Sequence, residues 1–163
     1  MKTAIIYSTT QGTTEKVVNY IAEKLKDSDT VDVFKLQKRK KQINLADYDR
    51  IILGGSIYLG DIQSVMTKFC NDNFDILQTK TLGLFACGIE RELVRQDVEL
   101  EMAYPKKLFK HAIATAFVGG EIVFDKLNPT QKFISKNMFK INQSVEFFEY
   151  NMMDIFIYQL KSA

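Results

Sequence analysis

The segment Tyr7-Ser8-Thr9-Thr10-Gln11-Gly12-Thr13-Thr14-Glu15 gathers hydroxyl side chains and one glycine between an apolar run and a periodic one. At a strand-to-helix junction such residues suit a phosphate group. Backbone N–H groups converge there, the helix dipole favours an anion, and threonine hydroxyls add donors. The pattern GxxxxGK[ST] is absent, so no loop lysine reaches β- and γ-phosphates, which argues against nucleoside triphosphate hydrolysis. The GxGxxG dinucleotide pattern is absent as well. The alternative is an ordinary Thr-capped helix start. A second segment, Gly54-Gly55-Ser56-Ile57-Tyr58-Leu59-Gly60-Asp61, combines small residues with an aromatic that can lie against a flat ligand; otherwise Tyr58 merely covers the core edge. A third, Ala86-Cys87-Gly88-Ile89-Glu90, again places small residues after an apolar run.

Other reactive side chains are few. Cys70 and Cys87 form no CxxC pair and His111 is the single histidine, so neither a disulfide framework nor a metal site is expected. A reducing, cytoplasmic setting follows as the expectation. Cys87 is either redox-active or a small residue in a tight spot. His111 stands near Lys106, Lys107 and Lys110 at a helix end, where a cation complements the dipole. The run Lys38-Arg39-Lys40-Lys41 reads as a solvated loop. No catalytic acid or base is assigned.

The elements that must position these segments alternate. Strands are expected at Lys2–Ser8, Thr30–Leu36, Arg50–Gly55, Thr81–Cys87 and Ile113–Gly119. Helices are expected at Thr13–Lys26, Ile62–Phe74, Val98–His111 (with Pro105 against its first half), Asn128–Ile141 and Ser144–Leu160. This is α/β: a doubly wound, five-stranded parallel sheet with a helical insertion between the fifth strand and the last helix. In that architecture ligands bind at the carboxyl ends of the strands, where all three segments fall. Gly119, Gly120 and Glu121 would border the same edge.

The chain has 163 residues, 46% hydrophobic and 26% charged, which suits one domain and excludes a disordered tail or a fibre. No apolar run approaches the roughly 18 residues of a membrane span. The opening MKTAIIYS is too short in apolar residues for a signal peptide. A net charge of +2 is too weak to point to nucleic acid.

The threonine loop after an Ile-rich strand and Tyr7 resembles the phosphate loop of flavodoxins, the small FMN-binding electron-transfer proteins, and the resemblance covers essentially the whole chain. It implies that FMN is held by Thr9, Thr10, Gln11, Gly12, Thr13 and Thr14 at its phosphate. It also implies that Ser56, Ile57, Tyr58, Leu59 and Gly60, with Ala86, Cys87, Gly88, Ile89 and Glu90, bracket the flavin ring. Gln11 replaces a usual hydroxyl. Ile89, Glu90 and Arg91 stand where many flavodoxins put a second aromatic. Lys2-Thr3, Tyr48-Asp49-Arg50, Gly55-Ser56-Ile57-x-x-Gly60 and the insertion Val123–Asn142 are similar to the bacterial quinone-dependent protoporphyrinogen dehydrogenases.

That subgroup implies an FMN-dependent oxidoreductase acting on a tetrapyrrole, by porphyrinogen oxidation or reductive chemistry on haem or porphyrin. A redox partner or quinone would take part. The alternative is an electron carrier serving a reductase. Carrier flavodoxins are strongly acidic, and carboxylates around the ring disfavour the reduced, anionic flavin; a faintly basic chain relaxes that repulsion and suits an enzyme. In the insertion, Phe133, Ile134, Met138 and Ile141 share one face, and Lys132, Lys136 and Lys140 another. Such a helix can touch a membrane surface, close over a flat ligand, or simply pack with its lysines solvated. The last helix, with Phe147, Phe148, Met152, Met153, Ile155, Phe156 and Ile157, is apolar nearly all round, which suits burial or a homodimer contact.

Overall fold

The computed structural model describes residues 1–37 and 42–162; the Lys38-Arg39-Lys40-Lys41 run lies outside the described residues. In chain order the strands are β1 (Lys2–Tyr7), β2 (Thr30–Lys35), β3 (Arg50–Tyr58), β4 (Asp61–Ile62), β5 (Thr81–Cys87), β6 (Ala114–Phe117), β7 (Gly119–Ile122) and β8 (Val145–Phe148). The α-helices are α1 (Thr13–Leu25), α2 (Ser64–Asp72), α3 (Phe74–Leu77), α4 (Leu93–Ala103), α5 (Lys106–His111), α6 (Pro129–Asn137) and α7 (Tyr150–Lys161).

Five strands pair in parallel in the order β2-β1-β3-β5-β6, and the two-residue β4 folds back antiparallel onto β3. Alternation along each strand sorts side chains onto two faces. Ile5, Tyr7, Ile52, Phe85 and Cys87 meet Val17, Val18 and Ile21 of α1 and Met153, Phe156 and Leu160 of α7. Ala4, Ile6, Ile51, Leu53, Leu82 and Leu84 meet Met66 and Cys70 of α2, Leu100 of α4 and Leu108 of α5. The expected doubly wound sheet is therefore observed. Because β1 is followed in the sheet by β2 on one side and β3 on the other, a crevice opens at their carboxyl ends.

Several boundaries differ from expectation. The third strand runs on to Tyr58 and turns at Leu59 and Gly60 (φ 54° and 86°) into β4, so Ser56–Tyr58 are strand rather than loop. The helix expected from Ile62 begins only at Ser64 and breaks before α3. The helix expected at Val98–His111 starts earlier, at Leu93, and splits at Pro105, which caps α5 with an extended backbone. Tyr104, at the break, donates its hydroxyl to Phe85 O at 2.6 Å and lies 3.2 Å from Leu53 O, fixing the bend to the sheet.

The largest correction concerns Ser144–Leu160. Its first part is the strand β8, which pairs antiparallel with β7, Gly119 opposite Phe148 and Gly120 opposite Phe147. Gly119 has φ 68°, and a Cβ there would lie 2.1 Å from Phe147 O, so glycine is what lets the chain pass from β6 into this ribbon. The helix α7 itself buries Met153, Phe156, Ile157 and Leu160 but leaves Met152, Ile155 and Tyr158 exposed; it is amphipathic, not apolar all round. Among the described residues no helix is long and apolar enough to cross a membrane.

Candidate functional site

The first segment folds as a strand–loop–helix junction. Thr9 Oγ1 accepts the Gly12 N–H at 3.0 Å, and Gly12 adopts φ 93°, the left-handed conformation that glycine reaches at no steric cost. Among the described residues no side chain caps α1, so its first N–H groups remain available to a ligand at this end. The alternative of an ordinary Thr-capped start is thereby excluded.

A compact polar knot ties this loop to the β3–β4 hairpin. Gln63 Oε1 accepts the Ser8 hydroxyl at 2.8 Å and the Ser56 N–H at 3.0 Å. Thr14 Oγ1 and Ser56 Oγ lie 2.7 Å apart. Cys87 lies beside Thr14; burial pushes its thiol up to about 12, and the threonine contact works only weakly against that. It is 1% exposed and stays protonated, which matches the small-residue reading rather than a redox-active thiol. Lys16 of α1 pairs with Glu121 of β7 at 2.7 Å, fastening the helix to the ribbon on the opposite side of the crevice.

Two cavities open at this edge. The first, about 340 Å³, is lined by Thr10, Gln11, Thr13, Ser56, Cys87 and Gly88, and faces Gly120, Ile122, Leu127, Gln131 and Ser135 from the ribbon and insertion. The second, about 450 Å³, is lined by Leu59, Gly60, Glu90, Arg91, Glu99 and residues Phe139 to Gln143, with Val145 and Phe147. Ile57, Tyr58 and Ile89 belong to both and form their common wall. Of the sixteen expected site residues, Thr9, Gly12, Thr14 and Ala86 line neither cavity. Thr9 and Gly12 shape the loop, Thr14 latches it to Ser56, and Ala86 is buried within β5.

The insertion behaves differently from its sequence pattern. Asn128 and Gln131 cap α6 reciprocally, and Ser135 rather than the apolar residues faces inward. Phe133 and Met138 are 68% and 65% exposed. Lys132 and Lys136 sit over the Phe124 ring at 5.6 and 5.5 Å, so this pair packs on a neighbouring turn instead of forming a free basic face. Lys140 lies beyond the helix, at φ 57°. His111 is far from the cavities' residues in role: its Nε2 lies 2.9 Å from Lys80 O, joining α5 to the turn before β5.

Among the described residues Ser135 Oγ is buried without a hydrogen-bond partner, while its residue lines the first cavity. A buried hydroxyl left alone costs about 1–3 kcal/mol, so a ligand bearing hydroxyl or carbonyl groups would relieve it. With the uncapped α1 start beside it, this cavity offers donors that fit a phosphorylated, hydroxyl-bearing group. Gln63, Gln131, Ser135 and Phe147 were not among the expected site residues. Two of them carry a sequence signal: Gln131 closes the Asn128-Pro129-Thr130-Gln131 helix start, and Phe147 lies in a run that reads as helix.

The chain matches the flavodoxin domain family over residues 4–146. The protoporphyrinogen IX dehydrogenase (quinone) of Escherichia coli (strain K12) is 21% identical over 150 residues, spanning 87% of this chain and 81% of that protein. Oxidised Flavodoxin 1 from Bacillus cereus superimposes with a TM-score of 0.55 at 12% identity, over 99% of this chain and 98% of that one. The Fusobacterium nucleatum flavodoxin bound to flavin mononucleotide does so with 0.51 at 17%, over 99% and 97%.

Proposed function

Because the chain belongs to the flavodoxin domain family, we propose that it binds FMN non-covalently at this edge and acts as an FMN-dependent oxidoreductase on a tetrapyrrole. The observation that carries the enzyme reading is the pair of cavities behind one wall, which leaves room for a second molecule beside the cofactor. FMN, when bound, supplies the electron-transfer chemistry. The chain's own residues do the rest. Thr10, Gln11 and Thr13 with the α1 N-terminus receive the phosphate, Ser135 and Gln131 offer polar groups from the insertion, and Ile57, Tyr58 and Ile89 border the ring. The E. coli relative's name motivates the tetrapyrrole and a quinone as acceptor.

The second reading is an electron carrier, favoured by the outer rim: Tyr58 and Leu59 are exposed and could meet a partner protein's cofactor edge. Anaerobic titration of the FMN-reconstituted protein with protoporphyrinogen and haemin separates the two. Turnover with a quinone present supports the enzyme; FMN binding with no tetrapyrrole reaction transfers the assignment to the carrier. A colourless protein after reconstitution removes both. The exposed Phe133 and Met138 support peripheral membrane contact through residues 128–141, and the outer face of α7 supports a homodimer. Vesicle flotation and light scattering test these.

A further inference from the structure

The helix α4 carries an apolar stripe that its own fold does not use. Gln96, Leu100 and Ala103 turn toward the sheet, whereas Val94, Val98 and Met102, four residues apart, point outward and are between 52% and 72% exposed. Leu93 beside them is exposed as well, and none of the four lines either cavity. The charges around the stripe do not suit their own helices. Asp97 and Glu101 are like charges one turn apart on α4, and Glu101 stands in the last turn, where the helix dipole disfavours an anion. Lys106 and Lys110 are like charges one turn apart on α5, and Lys106 and Lys107 open that helix, where a cation is disfavoured. All five side chains are exposed, and among the described residues none of them forms an ion pair. Leu100 of α4 and Leu108 of α5 enter the same core cluster, so the stripe and the lysines share one outer face. Tyr104, bonded to the sheet between them, fixes the angle of the two helices.

An exposed apolar stripe of this kind marks a contact surface, and the charges beside it identify the partner. A face with an acidic pair on one helix and a basic pair on the next is complementary to itself. A two-fold axis sets each patch of one copy against the opposite patch of the other. We propose that α4 and α5 form the isologous interface of a homodimer, with Val94, Val98 and Met102 at its centre and Asp97 and Glu101 of each copy facing Lys106, Lys107 and Lys110 of the other. The contact takes the stripe out of water and gives each like-charged pair the counter-charge its own chain lacks. A surface of one sign, such as an anionic membrane, would satisfy one pair and repel the other. The outer face of α7 also exposes Met152, Ile155 and Tyr158, but its charged neighbours are engaged. Asp154 accepts the Tyr20 hydroxyl at 2.8 Å, and Lys161 donates to Lys24 O at 2.8 Å. That face therefore lacks the charge pattern that singles out a second copy.

The test uses the full chain loaded with FMN and reads mass, by sedimentation velocity and native mass spectrometry. The wild type is expected to dimerise in the micromolar range, and more weakly at high salt. The variants Asp97→Lys/Glu101→Lys and Lys106→Glu/Lys110→Glu each set like charges across the axis. Each should be monomeric where the wild type is dimeric, with FMN affinity unchanged. Mixed in equal amounts, the two should regain a dimer containing one copy of each, because both contacts then join opposite charges. Should either variant fail to fold, Val98→Ser, a change at an exposed position, should weaken the dimer by about tenfold or more. A wild type that stays monomeric overturns the proposal, as do charge variants that dimerise alone or a mixture that stays monomeric. Assemblies growing past two copies overturn it as well, since they require a head-to-tail contact. A dimer lost in Met152→Ser/Ile155→Ser but kept in the charge variants overturns it in favour of α7.

Discussion

Thr14 Oγ1 lies 2.7 Å from Ser56 Oγ, across 42 residues of sequence, and this single contact latches the first turn of α1 to the end of β3. The loop proposed to hold the phosphate and the strand end proposed to border the ring are thereby held as one body. Replacing Thr14 with Val keeps the shape and removes the hydroxyl. We expect a loss of about 1–2 kcal/mol in urea denaturation and weaker FMN binding in fluorescence titration. Unchanged FMN affinity would mean the latch has no part in shaping the site.

Ser135 tests the opposite case, a hydroxyl with no partner among the described residues. Ser135→Ala should leave the stability of the FMN-free chain unchanged or slightly higher, since it removes an unsatisfied buried group. The same substitution should weaken FMN binding by roughly tenfold, the worth of one hydrogen bond of about 1.4 kcal/mol. Equilibrium dialysis with FMN reads the second effect, and a wild-type affinity would detach α6 from the cofactor.

Arg50, at the start of β3, is buried with Asp29, and its other arm donates to Leu160 O at 2.6 Å. Arg50→Met leaves Asp29 buried and poorly paired and should cost about 3–5 kcal/mol. Burial by itself would raise the Asp29 carboxyl, but the Thr3 hydroxyl, Arg50 and the amino terminus together hold it below its ordinary value. Its contribution is therefore fully present above the unfolded carboxyl's pKa of about 4 and is lost as pH falls through the lower folded value. Urea midpoints measured from pH 6 downward should fall less steeply in Asp29→Asn than in the wild type.

Burial pushes the thiols of both Cys70 and Cys87 up to about 12. Neither should react with iodoacetamide at pH 8.5 in the folded protein, and both should react in urea; mass spectrometry counts the adducts. A raised thiol stabilises the fold fully below the unfolded pKa of about 8.5, and that share is lost as pH rises toward 12. Early labelling of Cys87 in the native protein would return it to the redox candidates.

Much of this was legible from residue order. Apolar, β-rich runs such as Thr81–Cys87 read as buried strands, and their alternation with helical periods implies a doubly wound sheet with its crevice at the strand ends. The threonine–glycine junction likewise exposed its chemistry, because hydroxyls, glycine and a helix start act locally. Val145–Phe148 was misread because four residues cannot distinguish a strand from the first turn of the apolar helix that follows, and only the ribbon partner Gly119–Ile122 decides it.

The sequence by itself determined the sheet, its winding and the loop suited to a phosphate, since these follow from short-range periodicity and turn chemistry. Tertiary structure alone decided what meets that loop. Gln63 joining Ser8 to Ser56, Ser135 turned inward instead of its apolar neighbours, and Arg91 brought over Phe147 all depend on contacts between residues far apart in the chain. Local propensity carries no information about such pairs, because their energies appear only once packing has brought the partners together.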